Sequence, residues 1–541
     1  MATCGSRTPI HLSIQDRIAW LLRVNRIFGK EERWSRAASF AAAFQGGSWQ
    51  ALADASKISR WETSVLRVPR QAIIRYEELL GLAKGQLVFA ADAVHDYYCT
   101  EPNCHMSWGR GMPRATPVPF TRTGELIEKA SSGDAMSGQE WHELCSVISS
   151  APNFLIVPVT TWTTLSERLL QEQIIADGMA WLPRFGALSK LLGHPVGQQA
   201  AIDTCASLAA DRANQAGIEV ICMLDSTSHP DATRHVLSQL ANPTSESVFY
   251  GALLASVRKL ARGHFNPHQI TDLMSVAVDL VVGPGGHLDS QMLAAALLRQ
   301  MPEGAPVGLV NRLSRSLATN EALGVALRTG SLAPPGAAQD LIHPVVSTAV
   351  DRMPREAPWP YDETLGILLE EMIYNPISDV RLYAAILVRA TPYRVPIANA
   401  LAGALSRIRI ASNPDLVACI VDAFRVFGTT DQRPMIERFI LGQSVPSQVA
   451  IAAARNIGHI DGTSHDRFWL SAINTHAKNV QQNSSPASSA VIRGLIYGLG
   501  ITGNDTLLAR IQHSLALPPQ ARQAASWWLG QPQRIRRSAL L

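Results

Sequence analysis

Four segments near the C-terminus end on an apolar residue followed by glycine, and their spacing constrains the fold more than any other feature. Ala423-Phe-Arg-Val-Phe-Gly428 matches Ala453-Ala-Arg-Asn-Ile-Gly458, and Ile496-Tyr-Gly-Leu-Gly500 and Ser526-Trp-Trp-Leu-Gly530 close in the same way. The glycines stand 30, 42 and 30 positions apart. A period of that size fits one helix, a stop and a second helix. The long interval contains the polar run Lys478 to Ser489, read as a loop insertion of about 12 residues. Each glycine is expected to cap a helix C-terminus with positive φ. Asp379-Val-Arg-Leu-Tyr-Ala-Ala385 reads as one more unit start. A helix pair this short cannot bury its apolar stripe alone, so neighbours must stack.

The remainder also reads as helix after helix. With 541 residues the chain is too long for one core. Hydrophobic residues make up 47% and charged residues 17%, a folded composition, while the 6% of aromatics and abundant Ala and Leu favour helix packing over strands. Helical candidates in the middle are Gly138 to Val147, Thr161 to Ala176, Val196 to Ala216, Ser247 to Arg262, Pro267 to Val282 and Asp289 to Met301. No run approaches the roughly 20 apolar residues of a membrane span. The first ten residues carry one charge, Arg7, and no apolar core, so no secretory leader is expected. Cys4, Cys99, Cys104, Cys145, Cys205, Cys222 and Cys419 are odd in number and dispersed, which suits reduced thiols and a cytoplasmic location.

Charge is uneven. Residues 1–90 hold 13 Lys+Arg against 7 Asp+Glu, or +6, and the other 451 residues hold 35 against 37, or −2. That is the footprint of a phosphate-binding module on a nearly neutral body. Within this basic segment, Ser13 to Phe28, Arg36 to Phe44, Ala55 to Glu62 and Gln71 to Leu82 have helical periodicity. Gly46, Gly47 and Ser48 break the second helix, and Val68-Pro69 separates the last two. On the third, Ile58 and Trp61 are three apart and point to the core. Ser56, Lys57, Ser59 and Arg60 project elsewhere, where phosphates and base edges are within reach. Glu62 is repelled by phosphate and is expected to orient an arginine.

Ser56-Lys-Ile-Ser-Arg-Trp-Glu-Thr63, with Arg67, Pro69, Arg70 and the closing Arg75-Tyr-Glu-Glu-Leu-Leu-Gly-Leu82, resembles the XRE/Cro-type helix-turn-helix family over about 75 residues. That resemblance implies a recognition helix in the DNA major groove, with Ser56, Lys57, Ser59, Arg60, Arg67 and Arg70 as DNA-binding residues. Two departures stand out. Gln45 to Asp54 is longer than the family's tight turn, leaving a rival register in which Trp49 to Ala55 is the second helix, and Ser64 replaces the usual glycine. The repeats resemble HEAT-type helical repeats over about Asn375 to Gly530, where an Asp-Val-Arg start is common.

Other signals are weaker. His95, Cys99, Cys104 and His105 have donors that suit zinc, but C-x4-C-H is not a usual structural spacing, and a loop with incidental thiols is the plainer reading. Gly283-Pro-Gly-Gly-His287 lacks the Lys and Ser/Thr of a P-loop, and His264-Phe-Asn-Pro-His268 lacks an adjacent carboxylate. Arg534, Arg536 and Arg537 form a basic tail, disordered or touching phosphate. No nucleophile elbow, His-Glu-x-x-His or carboxylate pair stands out.

The sequence therefore predicts an all-α chain: a tail at 1–12, a helix-turn-helix domain at 13–90, a Pro/Gly-rich linker at 91–135, a helical middle at 136–335 and an α-solenoid of HEAT-like repeats at 336–541. It predicts a transcription regulator that is no enzyme and needs no cofactor or metal. Double-stranded DNA is the expected partner, with a homodimer, a possible peptide or small-molecule effector, and no membrane. The rivals are an interaction scaffold with weak or no DNA binding and an enzyme whose site lies in the middle region.

Overall fold

A computed structural model describes residues 12–100, 120–151, 153, 156, 158–283, 288–300, 321–332 and 335–541. Among these residues the regular elements are helices, and the β feature is an isolated bridge between Gly46 and Trp49. None of these helices is long and apolar enough to cross a membrane. Pro267–Val282 forms the helix its periodicity predicts, started by Asn266 and Gln269 in a reciprocal cap. Helices Trp181–Leu192 and Pro230–Ala241 escaped the sequence reading.

The chain divides into two compact units. The first joins the described residues of Met1–Pro113 to Gly336–Ile373 and Val380–Ser406. This differs from the boundaries read in the sequence, which ended an independent N-terminal domain at residue 90 and placed 336–406 with the repeats. The reason lies on the first helix, α1 (Ile14–Phe28). Arg17 forks onto Glu371 at 2.6 and 2.7 Å. Trp20 Nε1 donates to Asp362 at 3.0 Å, and Asn25 donates to the Ala390 carbonyl at 3.0 Å. Phe28 sits edge-on to Trp359. Arg17, Trp20 and Asn25 are buried, and each donates to a residue more than three hundred positions away, so removing either partner strands the other. The linker reading also changes: a helix runs from Gln86 through Tyr98, and another covers Phe120–Ser132.

The second unit holds the described residues of Arg114–Pro335 with Tyr374–Asp379 and Arg407–Leu541. At its start Glu172 is fully buried, accepting from Trp141 Nε1 at 2.8 Å, Arg168 at 3.0 Å and Arg184 at 3.3 Å. Arg184 also donates to the Ser538 carbonyl. The basic C-terminal segment is thus a docked helix, Gln533–Ala539, and no disordered tail. Arg536 is committed to Asp505 and the Trp528 carbonyl.

The repeats form helix pairs. The first helices are Pro414–Phe427, Ser447–Asn456, Pro486–Ile501 and Pro519–Leu529, and each packs on the next. The second helices are Arg433–Leu441, Asp466–Asn483, Asp505–Gln512 and Gln533–Ala539. The polar run that lengthens one repeat is no loop: Lys478 to Asn483 extends a helix, Ser484 turns at φ 47°, and the next helix starts at Pro486. Asp379 does lie in the first turn of a helix, Ser378–Arg389, but Val380–Ser406 belongs to the first unit.

The repeat glycines have a different cause from the one expected. Gly428 has φ −55° and Gly530 φ −71°, while Gly500 lies inside its helix. A Cβ on Gly458 would stand 2.7 Å from Gly498 Cα, and one on Gly500 would stand 2.0 Å from Trp528 Cδ2. At these two positions glycine lets one repeat approach the next, which no larger side chain permits.

Candidate nucleic-acid interface

The candidate site is built on four further helices of the first unit: α2 (Ala37–Ala42), α3 (Ala55–Glu62), α4 (Arg70–Leu80) and α5 (Gln86–Tyr98). Their core is aromatic. Phe40, Phe44, Trp49, Trp61 and Tyr76 are buried, with neighbouring ring centroids from 4.7 to 5.9 Å apart. Trp61 is therefore a core residue, as its spacing from Ile58 predicts. Burial of a ring this size contributes roughly 2–3 kcal/mol.

Glu62 is buried beside Trp61 and fully engaged. Arg26 forks onto it at 2.6 and 2.7 Å, and Tyr76 donates its hydroxyl at 3.0 Å. The expectation that Glu62 orients an arginine holds, and that arginine comes from α1. Asp54 starts α3 by accepting the Lys57 N–H at 2.7 Å.

The connection between α2 and α3 spans Ala43–Asp54. It is ordered from below. Arg75 donates to the Ala43 and Phe44 carbonyls at 2.9 and 2.8 Å, and Glu78 accepts the Ser48 N–H at 3.2 Å. Gly47 at φ 54° leaves no room for a side chain against Glu78. Trp49 pairs with Gly46 in the bridge and packs on Trp61, so Trp49 to Ala55 is no helix and the rival register fails.

After α3, Ser64 adopts φ 57°, the left-handed conformation for which glycine is suited. Its hydroxyl donates to Asp16 of α1 at 2.5 Å, a tertiary hydrogen bond to a charged group that offsets part of the backbone cost. Burial raises the Asp16 carboxyl, but the hydrogen bonds from Ser64 and Ser13 outweigh it and hold Asp16 below the usual range.

The six candidate DNA-binding residues fall into three groups. Ser56, Ser59 and Arg60 are exposed along one side of α3, with Arg67 exposed in the following turn. Arg60 makes no ion pair among the described residues. Lys57 is half-buried, its ammonium 5.2 Å from the Trp49 ring centre and 5.3 Å from that of Trp61. The two indole faces hold it at the edge of the exposed strip. Arg70 departs from expectation: it forks onto Asp92 of α5 at 2.9 and 3.1 Å and ties α4 to α5. Sequence spacing could not show this, because Asp92 fell in the stretch read as linker.

The Cys/His cluster divides. His95 is buried in α5, and Cys99 is disulfide-bonded, which removes it as a zinc thiolate and departs from the reduced state expected of it. Cys104 and His105 lie outside the described residues. Among the described residues no group of His, Cys, Asp and Glu is placed to hold a metal. His287 and its preceding residues from Pro284 also lie outside the described residues; His264 is half-buried and His268 is exposed.

Comparison with protein-family models, curated proteins and solved structures finds no match to this chain.

Proposed function

We propose that the protein is a sequence-specific DNA-binding regulator, with α3 as the helix that enters the major groove. The observation that carries this reading is the division of α3 into two faces. Ile58, Trp61 and Glu62 are buried, while Ser56, Ser59 and Arg60 are exposed. Three small or extended polar side chains on one side of a rod allow close approach to base edges. Arg60 can fork onto a guanine, and Lys57 and Arg67 supply phosphate contacts. The basic balance of residues 1–90 supports the same reading. One helix of eight residues reads few base pairs, so the proposal includes a homodimer on two half-sites. The repeats then serve dimerisation or effector sensing.

Fluorescence anisotropy of the full chain on pooled genomic duplexes, over a salt series, tests this. The expected result is binding that weakens steeply with salt. On a selected sequence, Arg60→Ala should weaken binding at least about tenfold. Salt-independent binding, or none to any duplex, contradicts the reading.

A further inference from the structure

Three residues before each repeat glycine stands one column of side chains: Arg425, Arg455, Tyr497 and Trp527. Successive first helices pack on one another, so these equivalent positions follow one side of the stack. The column meets residues from much earlier in the same unit. Glu219 lies 3.5 Å from Arg425, and Trp527 packs against the core formed by residues 126–326. Asp177 lies 2.9 Å from Nδ1 of His459, which follows the second repeat glycine. Tyr497 is the centre of the group. Its ring lies 5.6 Å from that of His459 and 5.7 Å from that of Trp528, and it feels the charges of Glu219, Asp177, Arg425 and Arg455.

The charged groups here are unevenly used. Arg455 is exposed and has no ion-pair partner among the described residues. Arg425 holds Glu219 only loosely, with 44% of its side chain exposed, and a pair of that kind is easily exchanged. His459 is the opposite case. It is 7% exposed, and its Nδ1 is fixed by Asp177. Its Nε2 is buried without a hydrogen-bond partner among the described residues. A buried nitrogen left unsatisfied is costly, and a carboxylate on Nδ1 sets the ring so that Nε2 can serve a ligand. Burial raises the Asp177 carboxyl, but the charge and hydrogen bond of His459 outweigh it and hold Asp177 ionised.

We propose that Arg425, Arg455, Tyr497 and His459 form a binding site for a small organic anion. Its oxyanion group, carboxylate or phosphate ester, is taken by the two guanidinium groups and, when the ring carries a proton on both nitrogens, by the Nε2–H of His459. Its carbon skeleton lies on the Tyr497 ring. Guanidinium forks match oxyanions in shape and charge. Asp177 and Glu219 stand beside Arg425 and repel a polyanion, so the ligand carries one or two charges rather than a nucleic-acid backbone. The site goes beyond the DNA-binding reading and does not depend on it.

Calorimetric titration of the full chain with sodium succinate, phenyl phosphate and inorganic phosphate tests the site, with tryptophan emission followed in parallel. Saturable binding of succinate or phenyl phosphate is expected, accompanied by a change in the emission of the neighbouring Trp527 and Trp528. Preference for succinate assigns a carboxylate, and preference for phenyl phosphate assigns a phosphate ester. Arg455→Ala and Arg425→Ala should each weaken binding about tenfold with an unchanged far-ultraviolet dichroism spectrum. In labelled protein, the His459 ring nitrogen signal assigned by His459→Gln should shift on saturation. The proposal is overturned if none of the three probes saturates, if inorganic phosphate binds as well as both organic anions, or if both arginine variants bind like the parent.

Discussion

Arg26 of α1 and Glu62 of α3 meet through two parallel hydrogen bonds of 2.6 and 2.7 Å, and both side chains are buried. The pair fixes the helix proposed to read DNA against the helix that anchors the first unit. Nη1 of Arg26 donates to the Trp34 and Ser35 carbonyls. Removing one partner leaves a buried charge behind. Glu62→Ala is therefore expected to cost about 3–5 kcal/mol in chemical denaturation of the unit. Arg60→Ala, on the exposed side of the same helix, should change stability by less than about 0.5 kcal/mol.

Ser64 holds a left-handed backbone and is tied to Asp16. Ser64→Ala keeps the backbone cost and loses the hydrogen bond, so it should destabilise by about 1–2 kcal/mol. Ser64→Gly loses the same bond but relieves the backbone, and should be the milder variant. Urea denaturation of both proteins checks the order.

Glycine to alanine substitutions should separate by site. Gly500→Ala drives a methyl into Trp528 and is expected to cost at least about 1–3 kcal/mol through overpacking of neighbouring repeats. Gly403 lies in the helix Arg394–Ala404 with open space around its Cβ position. Gly403→Ala should stabilise by about 0.5–1 kcal/mol. Thermal unfolding of the two variants reads both effects.

His264 gives a pH dependence. Burial, then Lys259, Arg262 and Arg258, push its imidazole down to about 4, against partial opposition from Asp225. The unfolded chain takes up this proton near pH 6.5, the folded chain only near pH 4. Between those values the unfolded state binds more protons, so stability falls as the solution is acidified through that window and is fully retained above it. Partial exposure of the ring screens the effect to on the order of 1 kcal/mol. His264→Gln should lose correspondingly less stability between pH 7 and pH 4.

Much of the architecture was legible because local signals carry it. Helical periodicity marks Pro267–Val282, and the three-residue spacing of Ile58 and Trp61 marks the buried side of α3. The exposure of Ser56, Ser59 and Arg60 follows from the same periodicity. What was missed depends on distant partners. Nothing near Arg17 announces Glu371, and nothing near Arg70 announces that Asp92 sits on a helix facing it. The repeat glycines show the same limit: their recurrence is visible, but their cause lies in neighbours such as Gly498 and Trp528. Periodicity places Lys57 with the projecting side chains and cannot show that Trp49 and Trp61 reach it from different elements.

Genome-wide mapping of DNA occupied by the protein, with Arg60→Ala run in parallel, tests the central proposal most directly. Discrete sites sharing a two-fold symmetric motif are expected for the parent chain, lost in the variant while protein level and fold persist. Absence of enriched sites for the parent chain, or an occupancy map unchanged by Arg60→Ala, would contradict it.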